Sequence, residues 1–151
     1  MKAQVSIEYI ILLALVLTFG LLVLGISGNI PSFTFSAQRQ SSVSYWGSAS
    51  PLAVLDTNQI SGSTTLFLVL QNKANLVLNI TKVKLVYGLR ETYQNSSWFL
   101  IFPGEIKNIS ISARSCNPNQ EIFYDLEINY STHEYNDLVI KGLKPIYIRC
   151  I

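Results

Sequence analysis

Charge is scarce in this chain. Only 13% of its 151 residues are Asp, Glu, Lys or Arg, against about 25% in ordinary domains. The formal net charge is +2, and from Arg39 to Arg149 the basic residues stand singly among acids. No cluster of them tracks a phosphate backbone, so nucleic acid is excluded as a partner. Histidine occurs once, at His133, so no histidine pair can hold a metal or relay a proton. Its neighbours Glu134 and Asp137 are those of a solvated hairpin loop. Cysteine occurs twice, and two cysteines with one histidine cannot complete a four-ligand zinc site without carboxylate help. No serine stands in a Gly-x-Ser-x-Gly context and no glycine-rich phosphate loop follows a strand. Glu121, Asp125 and Glu127 lie along an alternating strand face, where solvated charge is the ordinary role. The chain is expected to be neither an enzyme nor the holder of a cofactor or metal.

What is present is an apolar N-terminus. The hydrophobic set makes up 49% of the chain, and Glu8 is the only charged side chain between Lys2 and Arg39. As a helix, Val5–Ile26 rises about 33 Å, enough to cross a hydrocarbon core of about 30 Å. That run is too long for the core of a secretory signal, and Ser27-Gly28-Asn29-Ile30-Pro31 offers only an imperfect small-x-small cut. A simple membrane anchor fits the hydropathy, but it has no use for Glu8. An acid costs about 2.5–3.5 kcal/mol at the centre of an inserted helix and less near its end. A partner explains it better. A cut between Ala3 and Gln4 would free an α-amine and make Glu8 the fifth residue of the mature chain. A neighbouring subunit's amine could then neutralise the carboxylate. Ala14, Thr18, Leu21, Gly25 and Gly28 share one narrow helical face, as small residues do where helices approach closely.

Lys2-Ala3-Gln4-Val5-Ser6-Ile7-Glu8-Tyr9 resembles the class III signal peptide of archaeal type IV pilin-like proteins. That pattern has a basic residue, a small residue, then Gln, with Ser and Glu at the third and fifth mature positions. The resemblance covers about eight residues and the helix behind them. It implies cutting between Ala3 and Gln4 by a prepilin peptidase, a precursor in the cell membrane, and then assembly with copies of itself or other pilins. The product would be an extracellular helical filament for adhesion or surface attachment, with the helices as its core. A minor or tip pilin and an archaellin are alternatives, although archaellin leaders usually lack Gln-x-Ser-x-Glu. A lone membrane-anchored binding protein is the alternative from another class.

Past the helix, Gly25, Gly28 and Pro31 form a breaker cluster. Ser32–Ser44 is polar and fits either a second short helix or an irregular linker. Strand signals follow Pro51. Leu66–Leu70 is a continuous apolar run, as expected of a buried sandwich strand. Leu78–Tyr87 carries Leu78 and Ile80, then Val83, Leu85 and Tyr87, with Lys82 and Lys84 opposite the latter set. Trp98–Phe102 ends at the turn Pro103-Gly104-Glu105, and Ile109 and Ile111 alternate with polar residues. Ile122, Tyr124, Leu126, Ile128 and Tyr130 line one face of a long strand, and a last strand runs near Pro145–Cys150. The expected fold is α+β: one long N-terminal hydrophobic helix followed by a mainly antiparallel, immunoglobulin-like β-sandwich of six to eight strands. The expected divisions are a leader over 1–3, the transmembrane or filament-core helix over 4–30, a stalk or linker over 31–50, and the extracellular sandwich over 51–151.

Export implied by the leader gives the cysteines a meaning. Cys116 and Cys150 are expected to form one disulfide. Asn79, Asn95, Asn108 and Asn129 each open an Asn-x-Ser/Thr sequon without proline and are candidate N-glycosylation sites, with Asn108 and Asn129 on outward strand faces.

Overall fold

The computed structural model describes residues 7–26, 31–89, 91–96 and 98–151. Helix α1 spans Ile7–Ile26 and helix α2 spans Pro31–Ser48. Pro31 opens α2 at the position where a missing N–H costs nothing and a fixed φ helps. Helix α1 is not what the sequence led us to expect. The layout with one long apolar N-terminal helix is corrected to two short helices and a mostly antiparallel β fold, and among the described residues no helix is long and apolar enough to cross a membrane. The exposed apolar side chains of α1 run from Ile7 to Val23. That stretch rises about 24 Å, short of a hydrocarbon core of about 30 Å. The polar segment after Pro31, open between helix and linker, is helical.

The chain divides into two compact units, Met1–Gln38 and Arg39–Ile151. The second is β-sandwich-like. One sheet holds β1 (Leu52–Gln59), β2 (Thr65–Asn72) and β6 (Ile106–Ser112) in the order β1-β2-β6. The other is built on β3 (Leu78–Tyr87) and β7 (Glu121–Ser131), paired antiparallel. β4 (Glu91–Asn95) and β5 (Phe99–Ile101) share the free edge of β3, while β8 (Leu138–Lys141) and β9 (Ile146–Arg149) share that of β7. Exposed edges invite pairing with other chains. Here the two sheets are laced at both sides. Cys150 bridges Gln59 in parallel, Ile151 N–H donates to Gln59 O at 3.1 Å, and Asn95 Nδ2 donates to Ser110 O at 3.0 Å.

The core comes from the inward-facing residues of both sheets: Leu66, Leu68 and Leu70 meet Ile80, Val83, Leu85, Tyr124, Leu126 and Ile128. The period-two pattern predicted this for β7. Two bulges adjust it elsewhere. One between Ile80 and Lys82 lets the buried set of β3 switch from even to odd positions, and another between Val54 and Asp56 turns Leu55 outward. Within the apolar run of β2, Leu66, Leu68 and Leu70 are buried, while Phe67 faces solvent at 43% exposure. Three sheet strands went unforeseen: β1, β4 and β8. In register across β3 and β7, Lys84 and Glu127 form a surface ion pair at 3.7 Å.

The last turns of α2 belong to this unit. Trp46 is buried, and its Nε1–H donates to Lys144 O at 2.8 Å. Ser42 donates to Pro145 O, Lys144 bonds Ser41, and the Leu143 N–H donates to the Tyr45 hydroxyl at 3.1 Å. The Arg39 guanidinium lies 4.9 Å from the centre of the Tyr147 ring. A large aromatic buries far more area than its polar neighbours, which is why the helix seats where Trp46 finds a slot.

Candidate functional site

Two surfaces stand out by chemistry. The first is α1. Its large apolar side chains are exposed on every side, from Ile7 at 75% to Val23 at 61%. A surface helix of a globular protein normally shows one apolar stripe and one polar face. Helix α1 has no polar face. Glu8 falls in its first turn, where a carboxylate complements the positive end of the helix dipole. Thr18 donates its hydroxyl to Ala14 O, so a polar side chain in mid-helix is satisfied locally. Ala3 and Gln4, the expected processing site, lie outside the described residues, as does Gly28 of the small-residue face.

The second surface is a cleft of about 500 Å³ at one end of the sandwich. Leu76 and Val77 form one wall, from the loop between β2 and β3. Leu100 and Pro103 form another, from β5 and its turn, and Thr132, His133 and Glu134 close it from the loop after β7. Asn72, absent from our sequence expectations, builds the first two walls. It is 1% exposed, and its Nδ2 donates to Leu76 O at 2.7 Å and Ile101 O at 2.9 Å. Its Oδ1 accepts the Ala74 N–H at 2.9 Å, so all three side-chain hydrogen bonds hold the loop against β5. The sequence signal was an Asn at a strand end, two residues before the N–H it caps. On the far wall, Thr132 and Tyr135 exchange backbone and hydroxyl bonds that close the loop on itself. Among the described residues no group of three or more His, Cys, Asp and Glu could hold a metal ion.

At the opposite end, Tyr87, Tyr93 and Tyr124 cluster with ring centres 5.6 and 6.3 Å from Tyr124. The Arg114 guanidinium lies 5.2 Å from the Tyr87 ring centre, and its backbone N–H donates to the Tyr124 hydroxyl. Burial pushes the Tyr124 phenol above its ordinary value, partly opposed by that N–H. Burial also raises Tyr147, and its hydrogen bond to Glu121 at 2.6 Å adds to the rise. These are structural phenols, held neutral.

Cys116 and Cys150 form a disulfide with their Cα atoms 6.2 Å apart, and both are buried. The bond pins the end of β9 beside Gln59, whose Nε2 donates to Arg114 O at 2.6 Å and Ser63 O at 2.9 Å. The four sequons are placed differently. Asn108 is exposed on β6, while Asn95 is half-buried and donates to Ser110 O. Asn79 is half-buried on the lining of the cleft, and the Oδ1 of Asn129 is buried without a hydrogen-bond partner. Outwardness read from alternation therefore holds more fully for Asn108 than for Asn129, which the bulge at Thr81 brings close under β3. No protein-family model matches the chain, and no curated protein is significantly similar to it.

Proposed function

We propose that the chain is a structural subunit of an archaeal type IV pilin-like cell-surface filament, with α1 packed among copies of itself and the disulfide-stapled sandwich facing outward. The observation that carries this reading is α1's all-round apolar exposure. Thirteen large apolar side chains stand exposed between Ile7 and Val23. Fully burying one such side chain is worth about 1.5–3 kcal/mol, so a helix covered by identical neighbours gains on the order of tens of kcal/mol. A single partner face would cover one stripe; a bundle covers all sides. Filament packing needs this cover and does not need a membrane-crossing length. The leader-like sequence around Ala3 and Gln4 supports the same reading, since a cut there frees an amine four residues before Glu8 in the chain. A charge pair inside an apolar bundle sets register, because only one alignment of the copies brings amine and carboxylate together. An extracellular position agrees with the disulfide.

The test is a Glu8→Gln substitution in the full chain, with filaments counted by electron microscopy and the mature N-terminus read by mass spectrometry. The expected results are a protein beginning at Gln4 and a tenfold or greater loss of filaments in the variant. Normal filament yield from Glu8→Gln sinks the role of the charge, and a native protein beginning at Met1 sinks the processing. A tag seen only at filament tips would make this a minor subunit, and a tag spread over the cell surface a lone binding protein.

A further inference from the structure

The sandwich carries a knob and a cleft at opposite ends of one strand. Leu89, in the turn after β3, is fully exposed, at 102%. The cleft of about 500 Å³ begins at the other end of the same strand, where Leu76, Val77 and Leu100 are 55%, 38% and 47% exposed. Ten residues of β3 separate the two, about 33 Å of extended chain. A single fully exposed leucine is unremarkable by itself. An apolar knob and an apolar cleft displaced along one axis are different, because copies joined that way form a heterologous contact that does not close. The charges agree with that polarity. At the same end of β3 as the knob, the exposed Arg114 guanidinium lies over Tyr87, and the one acid of the neighbouring β4, Glu91, is engaged by the Tyr93 hydroxyl at 3.0 Å. The cleft rim carries the exposed carboxylate of Glu134. Leu143, also strongly exposed, follows β8 along the flank of β7 rather than at an end, so it does not define the same axis.

We propose that the outer domains of successive copies dock head to tail, with Leu89 of one copy seated in the Leu76–Val77–Leu100 cleft of the next and Arg114 facing Glu134. This rests on the filament reading above and names a second contact within it. The cleft is ready for its occupant because Asn72 holds two of its walls fixed before docking, so little ordering is lost on contact.

The test uses the full chain with Leu89→Cys and Leu100→Cys together, oxidised in sheared filaments and run without reductant. A ladder extending past the dimer is expected from the double variant, and neither single variant gives one. Leu89→Asp is expected to lower filament yield tenfold or more while leaving the thermal unfolding of the outer domain unchanged, since that side chain is fully exposed. Filaments in plenty without a ladder, and with Leu89→Asp at normal yield, overturn the docking and leave the filament reading standing. No filaments from the unsubstituted chain overturns both. A glycan on Asn79 in assembled filaments also overturns the docking, since the sugar would fill the cleft.

Discussion

Gly142→Ala tests how the end of α2 is seated on the sheets. A Cβ at this position would lie 2.1 Å from Trp46 Cζ2, 2.8 Å from Cη2 and 3.0 Å from Lys144 O. The backbone at Gly142 is outside the left-handed region, so a methyl adds no backbone strain and the clash is tested by itself. The ring has little freedom to retreat. Trp46 is 2% exposed, its Nε1–H is tied to Lys144 O, and Tyr45 meets it edge-on with ring centres 5.4 Å apart. Overpacking of this kind costs about 1–3 kcal/mol, offset by roughly 0.4–1 kcal/mol from restricting the unfolded chain. A net loss of about 1–2 kcal/mol follows, several degrees of melting temperature for a unit of this size. Phenylalanine at position 46 removes the two atoms that clash. Trp46→Phe destabilises the domain by itself, but Gly142→Ala added to it should then cost much less than in the parent chain, with only the 3.0 Å approach to Lys144 O left to relax. The assay is urea unfolding of the four proteins followed by circular dichroism of the strands. A coupling of at least about 1 kcal/mol between the two sites is expected. If the substitutions prove additive, or Gly142→Ala alone costs nothing, the seating of Trp46 against Gly142 is wrong.

Replacing both cysteines by serine should destabilise the outer domain by about 4 kcal/mol on the chain-entropy model, given the 34-residue separation of Cys116 and Cys150; an unchanged urea midpoint would contradict this. Alkaline titration should unfold the domain. The folded phenols of Tyr124 and Tyr147 titrate above the ordinary value of 10.0, so their contribution is complete below that pH and is lost as pH rises through the raised values. Replacing both by Phe should flatten that alkaline loss of stability, and an unchanged dependence of the urea midpoint on alkaline pH in the double variant would refute it. Among the sequons, Asn108 is the one expected to carry a glycan and Asn129 to remain bare, which intact-mass and peptide-level spectrometry of the exported protein would check.

The strands with strong period-two patterns were legible before any coordinates: β3, β6 and β7 fall where alternation put them, because half-buried strands must segregate their side chains by face. β4 and β8 were not. Glu91-Thr92-Tyr93-Gln94-Asn95 buries little beyond Tyr93, and β8 is four residues long, so neither carries an apolar rhythm. They are strands because β3 and β7 offer them edges. The same limit hid the cleft. Asn72 gives no periodic signal, and only the meeting of its side chain with Leu76 O and Ile101 O shows that it builds a wall.

Sequence alone determined the apolar character of the N-terminal helix, the breaker at Pro31, the disulfide partners and the inner face of β7, since each depends on neighbours in the chain or on there being only two cysteines. Tertiary structure decided that the second helix docks through Trp46, that Phe67 faces outward, and where the sheets are laced. Those outcomes depend on contacts between residues far apart in sequence, such as Trp46 with Lys144 and Gln59 with Cys150, and no local pattern contains them.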